Sequence, residues 1–148
     1  RDDVETIHAA TEVLAEAKLS PELKNEALYY RAKAYKNQKA DKKALDDFRE
    51  LAKDTRNSYG AEAKYQVAQA LYDAQEYAAA EKELLNYIEQ STPHAYWLAR
   101  SFVLLSDVYV AMGKDLDARQ YLLSLQQNYQ GNDDIESMIE DRLKKLNK

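Results

Sequence analysis

The chain has 148 residues, 45% of them apolar and 32% charged, with a formal net charge of −5 at pH 7. Cysteine is absent, which excludes a disulfide framework, a thiolate metal site and a cysteine nucleophile. No apolar run approaches the roughly 18 to 20 residues of a membrane-spanning helix, and only three glycines and two prolines interrupt regular structure.

Alanine, leucine, glutamate and lysine favour helix along nearly the whole chain. Residues 3–18 read as a helix that lacks a preceding partner, so that Val4, Ile7, Val13 and Leu14 are expected to form a partly uncovered apolar face. The sequence opens at Arg1, without methionine, and is expected to be the C-terminal part of a longer array. Ser20 before Pro21 and Thr92 before Pro93 are N-cap and first-turn proline pairs, each expected to open a helix. Gly131 is a helix stop and Asp133 an N-cap with Glu136 three residues on. Ile135, Met138, Ile139, Leu143 and Leu146 then make a one-faced stripe, with Glu136, Glu140, Asp141, Lys144 and Lys145 outside, as a terminal cap requires.

The stretches AYKNQKADKKALDDF, ALYDAQEYAAAEKELL and VYVAMGKDLDARQYLL repeat one grammar. Aligned on Ala44, Ala80 and Ala118, they place small residues twelve positions upstream (Ala32, Ala68, Ser106) and large apolar ones four downstream (Phe48, Leu84, Leu122). The repeat lengths are 36 (80−44) and 38 (118−80). Such a period predicts stacked units of two helices and a short turn. Antiparallel helices approach closely only where both present small side chains, so Ala32 is expected against Ala44, Ala68 against Ala80 and Ser106 against Ala118. The segments are 3–18 (second helix of an incomplete repeat), 21–56, 57–92 and 93–131 (repeats) and 132–148 (capping helix), eight helices in a single domain spanning 1–148.

These residues resemble the tetratricopeptide repeat family. Matching positions are Ala32, Tyr35, Ala44, Phe48 and Leu51; then Ala68, Leu71, Tyr77, Ala80, Leu84 and Tyr87; then Ser106, Tyr109, Gly113, Ala118, Leu122 and Leu125. The resemblance implies an all-α, right-handed solenoid of antiparallel helix hairpins. The connector at Ser58, Tyr59, Ala61, Ala63 and Tyr65 is similar to that of bacterial cell-envelope members related to outer-membrane assembly and Tol-Pal accessory factors. That likeness implies a periplasmic or envelope-associated protein, with a cytoplasmic one as the alternative.

Chemistry-bearing constellations are sparse. His8 and His94 belong to no metal-ligand spacing and are read as structural, and no glycine-rich phosphate loop or nucleophile elbow occurs. Asp46 and Asp47 are assigned to a solvated helical face, and Asp133 and Asp134 to a helix N-terminus that favours negative charge. Neither catalysis, a cofactor nor a metal is expected. Residues 18–56 carry 11 basic and 7 acidic side chains (+4) and residues 57–113 carry 3 and 7 (−4); with an acidic total, neither block marks a nucleic-acid partner.

The resemblance implies that the first helix of each unit lines a concave groove for a protein or peptide. Carried onto this chain, the groove positions are Tyr29, Lys33 and Lys36; Tyr65, Gln69 and Tyr72; and Arg100, Val103 and Asp107. Twelve tyrosines against two phenylalanines suit such a surface, because tyrosine joins flat apolar contact to a hydrogen-bonding tip. Tyr35, Tyr77, Tyr87 and Tyr109 are assigned to the core. The carboxylate clamp of co-chaperone members is not reproduced, since Tyr29 with Lys33 and Tyr65 with Gln69 stand there. A structural or self-associating segment without a peptide ligand is the alternative function.

Overall fold

A computed structural model describes residues 2–147, and all regular structure in them is helical. Eight helices follow in order: α1 (Asp3–Leu14), α2 (Pro21–Asn37), α3 (Asp41–Leu51), α4 (Ser58–Asp73), α5 (Tyr77–Glu89), α6 (Ala95–Ala111), α7 (Asp115–Asn128) and α8 (Ile135–Leu146). The chain forms two compact units, Arg1–Val67 and Ala68–Lys148, which divide inside α4. In the first, α2 packs on α1 and α3; in the second, α6 packs on α5, α7 and α8, and α7 on α8.

Three of the connections are the same object. Each is three residues long (Gln38–Ala40, Ala74–Glu76, Met112–Lys114), and its middle residue is left-handed: Lys39 at φ 60°, Gln75 at φ 63°, Gly113 at φ 76°. The backbone N–H groups of Ala40, Glu76 and Lys114 donate to the carbonyls of Tyr35, Leu71 and Tyr109, five residues back, at 2.7 to 2.9 Å. Those of Lys39, Gln75 and Gly113 donate to Lys36, Tyr72 and Val110. This double bonding is the Schellman end of one helix, and its last residue is at once the N-cap of the next. The following helices start without a side-chain cap, because the turn itself sets the chain direction.

The residues four after each N-cap are Ala44, Ala80 and Ala118, and the small residues twelve before them are Ala32, Ala68 and Ser106. All six are 0 to 3% exposed. Ser106 keeps its hydroxyl out of the apolar interior by donating to the Val103 carbonyl at 2.6 Å, so a serine serves where alanine stands in the other repeats. Phe48, Leu51, Leu84, Tyr87, Leu122 and Leu125 are buried behind these small positions. Tyr109 is buried too, whereas Tyr35 and Tyr77 are only half-buried, Tyr35 lying under the Arg31 and Lys43 cations.

Other boundaries differ from the sequence reading in specific ways. Ser20 caps α2 through Leu23 N–H, as the Ser-Pro pair predicts. The Thr92-Pro93 pair falls short of α6: Thr92 Oγ1 accepts from His94 N–H, Ser91 is left-handed at φ 53°, and the helix begins at Ala95. α1 stops at Leu14, four residues early, and buries only Ala10, with Val4 61% exposed. α8 starts after Asp134, while Asp133 accepts from Ile135 N–H. Its stripe packs as expected, Ile135 and Ile139 buried with Ala99, Val103, Leu122 and Leu125, and Met138, Leu143 and Leu146 alongside.

Asp47 corrects one assignment. Far from a solvated face, it is 6% exposed and takes a bidentate pair from Arg31, whose Nε and Nη2 lie 2.8 and 2.7 Å from its carboxylate. Arg31 Nη1 also donates to Thr11, so one guanidinium on α2 joins α1 and α3. Gly60 is the second feature not visible beforehand. A Cβ there would collide with the Asp54 and Leu51 carbonyls, so the start of α4 approaches the end of α3 only because this side chain is missing.

Three stability outcomes are expected in urea unfolding. A Cβ at Gly113 meets nothing within 4 Å, so Gly113→Ala pays only for its left-handed backbone, about 1–2 kcal/mol, whereas Lys39→Gly and Gln75→Gly each raise the unfolding free energy by about 0.5 kcal/mol. Ala80→Leu overfills its contact and loses about 1–3 kcal/mol. Arg31→Met strands the Asp47 charge and loses about 3–5 kcal/mol, most of which Arg31→Met with Asp47→Leu restores.

Candidate functional site

The first unit arranges its predicted groove residues as a ladder. Tyr29, Lys33 and Lys36 recur at helical spacing on α2, so they share one face. Facing them stand Tyr59, Glu62 and Gln66, also at helical spacing, on the first turns of α4. Tyr29 Oη donates to Glu62 Oε1 at 2.9 Å, Lys33 Nζ to Glu62 Oε2 at 3.0 Å, and Lys36 Nζ to Gln66 Oε1 at 2.8 Å. Glu62 is buried at 8% exposure, and its two oxygens are satisfied by one phenol and one ammonium. Burial and this carboxylate push the Tyr29 phenol upward. Desolvation opposes the Lys33 charge, but the Glu62 hydrogen bond and charge outweigh it and raise the ammonium. The Tyr29 ring lies 4.7 Å from that of Tyr59 and 5.3 Å from that of Tyr30, and Lys33 Nζ is 5.3 Å from its centroid.

The second unit holds a cleft of about 530 Å³ where α6 meets α8, lined by Tyr72, Asp107, Val110 and Arg142 among others. Asp107 is no free anion: Arg142 Nε and Nη2 reach its two oxygens at 2.8 and 3.0 Å, and Nη1 donates to the Met138 carbonyl. Burial raises the half-buried Tyr72 phenol, and the Asp107 charge adds to the rise. Val110, 45% exposed, gives the cleft an apolar lip. At the other end of α6, Arg100 Nη1 donates to Tyr96 Oη at 2.9 Å, and Tyr96 donates to Asp134 at 2.9 Å. Arg100 itself approaches Asp134 at 3.6 Å.

Two predicted groove positions offer no surface. Tyr65 is 6% exposed and Val103 1%. Val103 belongs to the apolar cluster with Leu122, Leu125, Ile135 and Ile139, because the helix face it occupies turns toward α7 and α8. Gln69 bonds within its own helix to Asp73 at 2.9 Å. Glu62, Gln66 and Arg142 were not singled out in sequence, and Tyr59 was named there only as part of the connector. Their signal was complementary polarity about one repeat after Lys33, Lys36 and Asp107, which periodicity of apolar residues does not report.

Compared with protein families, with characterised proteins and with solved structures, the chain matches none of them. His8 is exposed beside Glu12 at 3.8 Å, and His94 is the half-buried N-cap of α6. Among the described residues no three His, Asp or Glu side chains gather as metal ligands, and no helix is long and apolar enough to cross a membrane.

Seven tyrosines, Tyr29, Tyr59, Tyr72, Tyr87, Tyr96, Tyr109 and Tyr129, are raised above 10.0, with burial the largest cause in each and Tyr129 reaching about 12 beside Asp133. Their protonated forms are favoured by folding, so this contribution is complete below pH 10 and is lost as pH rises through the folded values. The urea midpoint is expected to hold between pH 8 and about pH 9.5 and to fall toward about pH 12. A midpoint that stays level from about pH 10 to about pH 12 would contradict this.

Proposed function

We propose that the protein is a non-catalytic interaction scaffold of the tetratricopeptide type, which docks a protein or peptide on the faces of its first helices. The observation that carries this reading is the α6–α8 cleft. There a half-exposed valine and a tyrosine stand beside a hydrogen-bonded Asp107–Arg142 pair, an apolar lip on a fixed polar floor. Such a pairing suits a polypeptide, which needs apolar anchorage and directional polar contacts together. Acidic and basic groups on these faces are engaged with one another, an arrangement suited to holding a surface in shape. The Ser58, Tyr59, Ala61, Ala63, Tyr65 connector supports placement in the periplasm or cell envelope.

Benzoylphenylalanine in place of Val110 is expected, on irradiation in cells of the source organism, to give one discrete polypeptide adduct. The same probe at Leu116, 79% exposed on α7, should give none. Tyr72→Ala is expected to weaken capture by about 1–3 kcal/mol with little change in melting temperature. Tyr65→Ala should instead lower stability by about 3–5 kcal/mol, since that ring is interior. Equal adducts at Val110 and Leu116, or none at either, would remove the cleft from consideration.

Self-association is a second reading favoured by α1, where Val4 is 61% exposed and Ile7, Val13 and Leu14 are half-buried. It predicts sedimentation that changes with protein concentration and reverts to a monomer in Val4→Asp.

A further inference from the structure

A surface in the first unit, made of other residues than the α6–α8 cleft, has a chemistry of its own. Tyr29, Tyr30 and Tyr59 form a three-ring cluster. Tyr29 is its centre, with Tyr59 tilted at 40° and 4.7 Å away and Tyr30 edge-on at 79° and 5.3 Å. The centre is immobilised from below, because its hydroxyl is held by Glu62 and one ring face by Lys33. The two outer rings lean on it and reach solvent: Tyr30 is 45% exposed and Tyr59 is half-buried. On α2, Glu26 precedes Tyr29 and Tyr30 by three and four residues, which puts its carboxylate on the same face. Glu26 is exposed, takes part in no ion pair among the described residues, and contributes to the upward push on the Tyr59 phenol. Leu23, 51% exposed and one heptad before Tyr30, extends the patch as an aliphatic shelf.

A ring wall, a nearby unpaired carboxylate and an aliphatic shelf together match a long cationic side chain, whose head is drawn to the rings and the acid while its stem lies on apolar surface. The chain uses the same contact internally, with Arg31 and Lys43 over Tyr35, Lys33 over Tyr29, Arg100 over Tyr96 and Lys114 over Tyr109, each 5.3 to 5.9 Å from the ring centroid. We propose that Leu23, Glu26, Tyr30 and Tyr59 form a binding site for an arginine or lysine side chain presented by a partner polypeptide.

The site is tested on the whole chain with its tyrosine rings labelled for NMR, titrated with a peptide of alternating glycine and arginine. Glycine-serine and glycine-glutamate peptides of equal length serve as controls. The arginine peptide is expected to shift the Tyr30 and Tyr59 ring signals in a saturable way, and the controls to leave them in place. Glu26→Gln and Tyr30→Ala should each weaken the apparent Kd by about 3- to 10-fold, Tyr30→Phe by less than about 2-fold because the ring face is kept, and Glu136→Gln on α8 not at all. Two outcomes would overturn the site: arginine binding without movement of these two rings, or equal weakening by Glu26→Gln and Glu136→Gln, which would mean attraction to the net charge of −5 alone. Far-ultraviolet dichroism of each variant separates a lost site from a lost fold. Cross-linking at Val110 and this titration use different residues, so either can fail without the other.

Discussion

Everything else in this molecule depends on joining two antiparallel helices with three residues. Such a short connection closes only if the middle residue turns left-handed, and then the two helices are held so near that large side chains cannot lie between them. The chain makes this turn three times, with Lys39, Gln75 and Gly113 in its middle, and Ala32, Ala44, Ala68, Ala80, Ser106 and Ala118 are all buried. Only the third turn uses glycine. At the first two, a lysine and a glutamine adopt a conformation that costs L-residues about 1–2 kcal/mol, offset by the paired carbonyl bonds and the burial that the turn permits.

With the hairpins set in this way, the large residues point inward and the first helices keep a face for polar and aromatic groups. Those groups are ordered by one another. On α2 and α4, buried Glu62 is the common acceptor for Tyr29 and Lys33; on α6 and α8, Asp107 is held by both arms of Arg142. The energetic reason is the same in both places: a carboxylate that loses water must have its oxygens hydrogen-bonded, so each anion takes its donors from another helix. In the proposed docking role, a surface ordered by its own hydrogen bonds would lose less entropy on binding. The tyrosine excess fits the same economy, since several phenols are both ring wall and hydrogen-bond donor.

Residue spacing alone made the hairpins legible. The matched positions around Ala44, Ala80 and Ala118 marked the turns, the buried large residues and the packed stripe of α8, because packing of small against small is a local and periodic demand. Where a residue's place depended on a second element, the reading failed. Asp47 sits among acidic neighbours that look solvated, yet Arg31 on another helix draws it inward. Tyr65 and Val103 occupy positions that the repeat pattern gives to a surface, but both are buried, Val103 against α7 and α8. Nothing in the run Ser58–Ala63 announces that Gly60 must lack a side chain, since the obstruction is the carbonyl end of α3.

By itself the sequence determined an all-helical chain, its hairpin grammar and the interior small positions, because those follow from periodicity and volume within about twenty residues. Tertiary structure alone decided which charges are partnered, which tyrosines reach water and how the Tyr29, Tyr30 and Tyr59 rings meet one another. Those outcomes turn on the direction of side chains from helices roughly thirty residues apart, where hydrogen bonding and desolvation, not local propensity, choose the arrangement.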